Sequence, residues 1–161
     1  MRTWDQAIKQ ALYMYVHRNQ YAYFYGAKGQ VLTEGVMNSL IDCYPQHFNG
    51  RYSKEELDAV KLFSKGKIGF DCSGFTEYCT GTPGSSAMQI SECYNVSGDL
   101  VQGVAGSLLY KKGHIGLDIG YGYFLHMPHE GDSIILGKIL EYDWTTTGQS
   151  NYINYKGADS R

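Results

Sequence analysis

The chain has 161 residues, the length of one ordinary domain, and 43% of them are apolar, enough to build a hydrophobic core. Its net charge is −2 and it has no run of Lys or Arg, which argues against a nucleic-acid partner. No apolar stretch approaches the roughly 20 residues of a membrane span.

The first 65 residues read as helical. Trp4, Ile8, Ala11, Leu12, Tyr15 and Val16 recur on one helix face, and Thr3 with Gln6 forms a capping box. A second helix starts at Thr33, carries Val36, Met37, Leu40 and Ile41, and is followed by Pro45. A third starts at Ser53 with Glu56 as its capping partner and closes at Gly66. Between the first two lies Tyr21-Ala22-Tyr23-Phe24-Tyr25-Gly26, too aromatic for a plain loop. A short helix follows Asp71, bears Cys72, Phe75 and Cys79, and stops at Gly81. Residues 82–86 read as a turn and 86–94 as another short helix.

From residue 104 the pattern changes to strands, over 106–111, 114–120, 122–128, 133–140 and 151–155. Gly120-Tyr121-Gly122 suits a tight hairpin turn. Helices first and strands second predict an α+β domain, with N-terminal helices packed on a mainly antiparallel sheet of about five strands. The whole chain, 1–161, reads as one domain, without repeats or linkers.

The four cysteines, Cys43, Cys72, Cys79 and Cys93, lack the C-x-x-C spacing of a structural zinc site. Cys72 and Cys79 stand two helical turns apart, about 10 Å, too far for a disulfide. Reduced thiols are expected. A metal reading through Cys72, Cys79, His126 and His129 has poor spacings. The start, Met1-Arg2-Thr3-Trp4-Asp5-Gln6, has no apolar region of a signal peptide. The expectation is synthesis in the cytoplasm.

Two segments carry chemistry. In Phe70-Asp71-Cys72-Ser73-Gly74-Phe75 a cysteine opens a helix, where unpaired N–H groups and the dipole favour a thiolate and can hold an oxyanion. A buried structural cysteine fits the same hexamer. In Lys112-Gly113-His114-Ile115-Gly116 a histidine flanked by glycines starts a strand. A neutral imidazole there can take a thiol proton, and a half-exposed strand histidine fits as well. In the next strand a three-residue turn puts His126 opposite residue 116, diagonal to His114 on the same face. A two-residue turn puts His129 opposite 114 instead. Pro128 makes His129 a strand-end residue, and His129 and His47 read as surface residues.

Asp-Cys-Ser-Gly-Phe at 71–75, His-Ile-Gly-Leu at 114–117, Phe-Leu-His at 124–126 and the aromatic-Gly segment Tyr23-Phe24-Tyr25-Gly26 together resemble the NlpC-type peptidases. These are papain-like bacterial enzymes that cut peptidoglycan stem peptides. The four motifs occur in the family's order over less than half of the chain. The resemblance implies Cys72 as nucleophile, His114 as base and His126 as the residue that orients it. It implies that Tyr23 lines the pocket beside the nucleophile. Asp71 and Ser73 match positions that recognise a substrate's amine in some members, and Asp71 reads equally as a helix N-cap. The implied partner is a peptidoglycan peptide, with no cofactor or metal. The implied bond is D-γ-glutamyl to a diamino acid, in an enzyme similar to phage-derived lysins or tail proteins. An amidase or acyltransferase on the same fold, or a non-catalytic wall-binding module, shares these motifs. The chain departs from the family in three places. Residues 27–69 are long, as a helical lid or specificity insert would be. Asp118 stands where an aromatic residue is expected, and Ala105-Gly106-Ser107 replaces a Gly-Asp pair.

Overall fold

The structure, a computed structural model, describes residues 1–159. Strand β1 (Arg2–Thr3) leads into α1 (Trp4–Val16), which is capped as its sequence predicts. Thr3 Oγ1 accepts the Gln6 N–H while the Gln6 side chain accepts the Thr3 N–H. The buried stripe keeps Ile8 and Ala11 of the expected face but adds Ala7 and Met14 in place of the rest, and Val16 is 71% exposed. The two small alanines let α1 lie close against a later helix.

Strands β2 (Tyr21–Tyr23) and β3 (Lys28–Val31) fall in the region read as helical. All three residues of β2 are buried and all four of β3 are exposed, so neither shows the alternation that marks a strand. Helices α2 (Glu34–Cys43), α3 (Pro45–Arg51) and α4 (Lys54–Ser64) follow. Pro45 does not merely end α2. It opens α3 in the first turn, where its missing N–H costs nothing. Strand β4 (Ile68–Phe70) pairs in parallel with β2 and antiparallel with β3. These elements share a core of Ala22, Phe24, Leu32, Met37, Phe48 and Val60. The segment 27–69 is thus three helices bracketed by two strands.

Helix α5 (Cys72–Thr80) and α6 (Ser86–Ser91) precede β5 (Cys93–Ser97), whose start was read as the end of the preceding helix. The remaining strands are β6 (Leu108–Lys111), β7 (His114–Gly120), β8 (Tyr123–His126), β9 (Ile135–Lys138), β10 (Thr146–Ser150) and β11 (Ile153–Asn154). The main sheet has six antiparallel strands in the order β5-β10-β6-β7-β8-β9, while β11 pairs in parallel with β1. On one face Leu108, Ile115, Leu117 and Leu125 meet Met14 of α1 and Phe75 of α5. On the other face Leu109 and Phe124 meet Ile139 and Trp144. The architecture is the α+β arrangement expected, with one more strand in the main sheet. Among the described residues no helix is long and apolar enough to cross a membrane.

The β7–β8 hairpin turns on Tyr121 and Gly122, both at positive φ, as a two-residue type I′ turn requires. The ladder pairs Gly120 with Tyr123 but Asp118 with Phe124, so Ile119 is an extra, bulged residue. Asp118 holds the bulge: its Oδ1 accepts the Gly120 N–H at 2.8 Å. The Asp118 carboxyl is 4% exposed, and burial pushes its pKa up to about 7 although the Gly120 N–H opposes the change. The folded protein therefore keeps a proton that the unfolded chain releases above about pH 4. Stability attributable to this group is present at low pH and is lost as pH rises towards 7. Asp118→Asn keeps the acceptor and cannot ionise. Its melting temperature should gain on wild type as pH rises between about 4 and 7, by the equivalent of on the order of 3 kcal/mol. A difference that stays flat over that range would contradict the assignment.

Candidate active site

Strand β4 runs directly into α5, and Asp71 makes the junction. Its Oδ1 accepts the Gly74 N–H at 2.7 Å, which caps the helix and sets Cys72 as its first residue. The backbone N–H groups of Ser73 and of Ile115 in β7 favour the charged form of the Cys72 sulfur. Burial pushes the thiol up to about 11, the Asp71 carboxylate adds to this, and the two N–H groups and Lys28 oppose it. Burial thus outweighs the helix N-terminus, and the expected preference for a thiolate gives way to a neutral thiol.

His114 opens β7 and is 7% exposed. Its Nε2 lies 2.7 Å from Nδ1 of His126, the last residue of β8. The ladder pairs Leu117 with Leu125, which continues to Gly116 opposite His126, the register of the three-residue turn. The turn itself has two residues, and the bulge at Ile119 restores the count. His129 is not part of the pair. It lies beyond Pro128, with Nε2 3.1 Å from Asp132. Burial lowers the pKa of His114 to about 4 and that of His126 to about 3.

Trp144 stacks on His114 with ring centroids 5.3 Å apart and planes at 10°. Gly116 makes this possible, because a Cβ there would lie 2.9 Å from the Trp144 ring. Tyr142 packs edge-on against His126 at 5.1 Å. Neither aromatic was expected. Their segment has no alternation or motif to mark it.

Tyr23 ends β2 beside Phe70, two residues before the cysteine. Its hydroxyl is buried and held well above the usual range, first by burial and then by Cys72 and Glu130 nearby. Tyr23, Tyr25 and Gly113 line both of two adjoining cavities. One, of about 450 Å³, is walled by Cys72, Asp71, Ser73, Lys28 and Ser85. The other, of about 280 Å³, is walled by His114, Tyr142, Lys112, Arg51 and His47. Together they form a groove with the thiol on one half and the imidazole on the other. A larger cavity of about 650 Å³, between α1 and the β7–β8 turn, contains none of these residues.

His47, expected at the surface, is instead part of the wall. Its Nε2 lies 2.9 Å from Oε1 of Glu130, and its ring stacks on Tyr25 at 4.0 Å. Glu130 also accepts the Tyr52 hydroxyl at 2.8 Å and the Tyr25 N–H at 2.9 Å. Burial alone would raise its carboxyl, but these three donors hold it below the usual range. The metal reading dissolves: Cys79 is fully buried against Met14, and among the described residues no cluster of three or more metal-ligating side chains occurs. All four cysteines are free.

A neutral buried thiol has a recognisable alkylation profile. The rate at Cys72 with iodoacetamide should climb through pH 7–9 without a plateau, since its pKa is about 11. Exposed Cys43 is the internal reference and Cys79 should stay unmodified. A plateau at Cys72 below pH 8 would show that the thiolate is the resting form.

No protein-family model and no curated protein matches the sequence. Solved structures do match. NlpC1 from Trichomonas vaginalis superimposes with a TM-score of 0.52 at 12% identity, over 89% of this chain and 44% of its own. NlpC2 from the same organism gives 0.51 at 12%, over 92% and 50%. The peptidoglycan hydrolase RipB from Mycobacterium tuberculosis gives 0.51 at 16%, over 94% and 67%. The chain spans about half the length of the two Trichomonas proteins. At these identities the likeness is one of fold, and this chain has the papain-like α+β fold of the NlpC type.

Proposed function

We propose that the chain is a cysteine peptidase that hydrolyses amide bonds in peptidoglycan stem peptides. What chiefly supports this reading is one juxtaposition. Cys72 opens a helix packed on the strand whose His114 is hydrogen-bonded to His126, and the thiol and the imidazole line one groove. The likeness in fold to a peptidoglycan hydrolase supports the substrate class.

At neutral pH both partners start uncharged. The mechanism uses the tautomer in which His114 Nε2–H donates across the 2.7 Å contact to His126 Nδ1, which leaves His114 Nδ1 as the acceptor. As the sulfur attacks the amide carbonyl carbon, that nitrogen takes the thiol proton. Backbone N–H groups at the start of α5, including that of Cys72, hold the oxyanion. Collapse breaks the C–N bond, and the imidazolium gives its proton to the leaving amine. Water then attacks the thioester, His114 takes its proton, and the acid leaves with the thiol restored. His126 Nδ1 accepts from His114 throughout, so it orients the ring and steadies the imidazolium. The favoured bond joins D-γ-glutamate to a diamino acid, and the enzyme reaches the wall after release or delivery, as a phage lysin or tail protein does.

Digestion of purified peptidoglycan tests this, with products read by mass spectrometry. Wild type should release defined stem-peptide fragments and Cys72→Ala none. His126→Ala should slow release by roughly 100-fold, the lower end of what a positioned proton-transfer group contributes. EDTA should leave the rate unchanged. Cleavage that survives in Cys72→Ala would overturn the mechanism. No fragments from any wall type would favour acyl transfer or binding on the same fold.

A further inference from the structure

We propose that Lys28 is a specificity-determining residue that fills the cation position beside Cys72, so that the acyl side of the groove takes an N-acylated peptide rather than a free amine. The proposal draws its substrate from the peptidase reading, but the position itself can be probed without turnover.

The half of the groove that holds Cys72 is lined by two charged groups, Lys28 and Asp71. They are joined. Lys28 Nζ lies 2.9 Å from Asp71 Oδ1 and 2.9 Å from Ser73 Oγ. The same Asp71 oxygen also accepts the Gly74 N–H at 2.7 Å and the Ser73 hydroxyl at 3.2 Å. Lys28 sits in β3 opposite Phe70, and its N–H donates to the Gln30 side chain. Gly74 leaves room for its stem, since a Cβ there would lie 3.2 Å from Lys28 Cδ and 2.9 Å from Asp71 Oδ1.

The direction of the substrate follows from the chemistry. The leaving amine must receive its proton from His114, so it occupies the half of the groove that His114 lines. The acyl part then passes Lys28. A free amine there would meet an ammonium of like charge already paired with the Asp71 carboxylate. An acylated nitrogen carries no charge and meets no such opposition. Without Lys28, Asp71 becomes a bare carboxylate with Ser73 beside it, which is a ready acceptor for an ammonium group.

Alkylation of Cys72 by two chloroacetamides, one neutral and one carrying a primary ammonium, reads this directly. The modified peptide is quantified by mass spectrometry. The ratio of the two rates cancels any change in thiolate fraction. In wild type and Lys28→Arg the cationic reagent should be no faster than the neutral one. In Lys28→Met and Lys28→Gln the ratio should rise by about tenfold, the scale of one partly exposed charge-assisted contact. Stem peptides with a free or an acetylated N-terminus give the second arm: wild type should prefer the acetylated form and Lys28→Met the free amine. An unchanged ratio in both neutral variants overturns the proposal, even if wild type cleaves peptides. A shifted ratio with no cleavage of any peptide upholds the cation position and removes the peptidase reading instead.

Discussion

The imidazole pair depends on one bulged residue, because a strand's side chains alternate between faces. Extended from Gly120 and Tyr123 alone, the β7–β8 ladder would bring His126 opposite Leu117 and turn its ring into the core between sheet and α1. Ile119 shifts the count by one. His126 then lies opposite Gly116, on the face of His114, and the two rings meet at 2.7 Å. Asp118 stabilises this shift through its bond to the Gly120 N–H, at the cost of a buried carboxyl whose pKa is pushed to about 7. The residue that departs from the family pattern at 118 is therefore tied to the geometry on which His114 and His126 rely. Trp144 completes the arrangement by covering His114 across the space that Gly116 leaves empty.

A second buried carboxylate does the same for the opposite wall. Glu130 leaves only 1% of its side chain exposed, and an unpaired charge at such depth would cost several kcal/mol. His47, Tyr52 and the Tyr25 N–H supply three donors, drawn from α3, the loop after it and the aromatic-Gly segment. Docking of 27–69 and satisfaction of Glu130 are thus one event. The same contact brings His47 and Arg51 to the half of the groove that contains His114. The length of 27–69 acquires a physical consequence: this segment shapes the half of the groove that His114 lines.

What the sequence made legible was local. The capping boxes at Thr3 and Ser53, the Asp71 cap and the Gly81 stop involve partners within a few residues, and each stands where expected. The hairpin that brings His114 to His126 is also local, and its register was readable once the turn was allowed an extra residue. The misses depend on partners far along the chain. Strand β2 pairs with β4 across more than forty residues and, buried at every position, shows no alternation. His47 looked like a surface residue because its partner, Glu130, is 83 positions away. Trp144 reaches His114 only through the fold of the β9–β10 connection. The motifs marked residues that the fold brings to one groove, while the walls of that groove were set by tertiary contacts.

The same burial that assembles the groove decides how its chemistry begins. A thiolate and an imidazolium would both be charged in a place that penalises charge, with the thiol at about 11 and the imidazole at about 4. In the proposed reaction the resting pair is therefore neutral, and charge separation is deferred to the moment of attack. At that moment the N–H groups at the start of α5 and the His126 nitrogen are already in position, so little reorganisation accompanies the proton transfer. Asp71 would oppose this step if it stood alone, since its negative charge disfavours a thiolate on the next residue. Lys28 compensates that charge at 2.9 Å. In the proposed reaction one ammonium thus eases ionisation of the sulfur and occupies the position beside it.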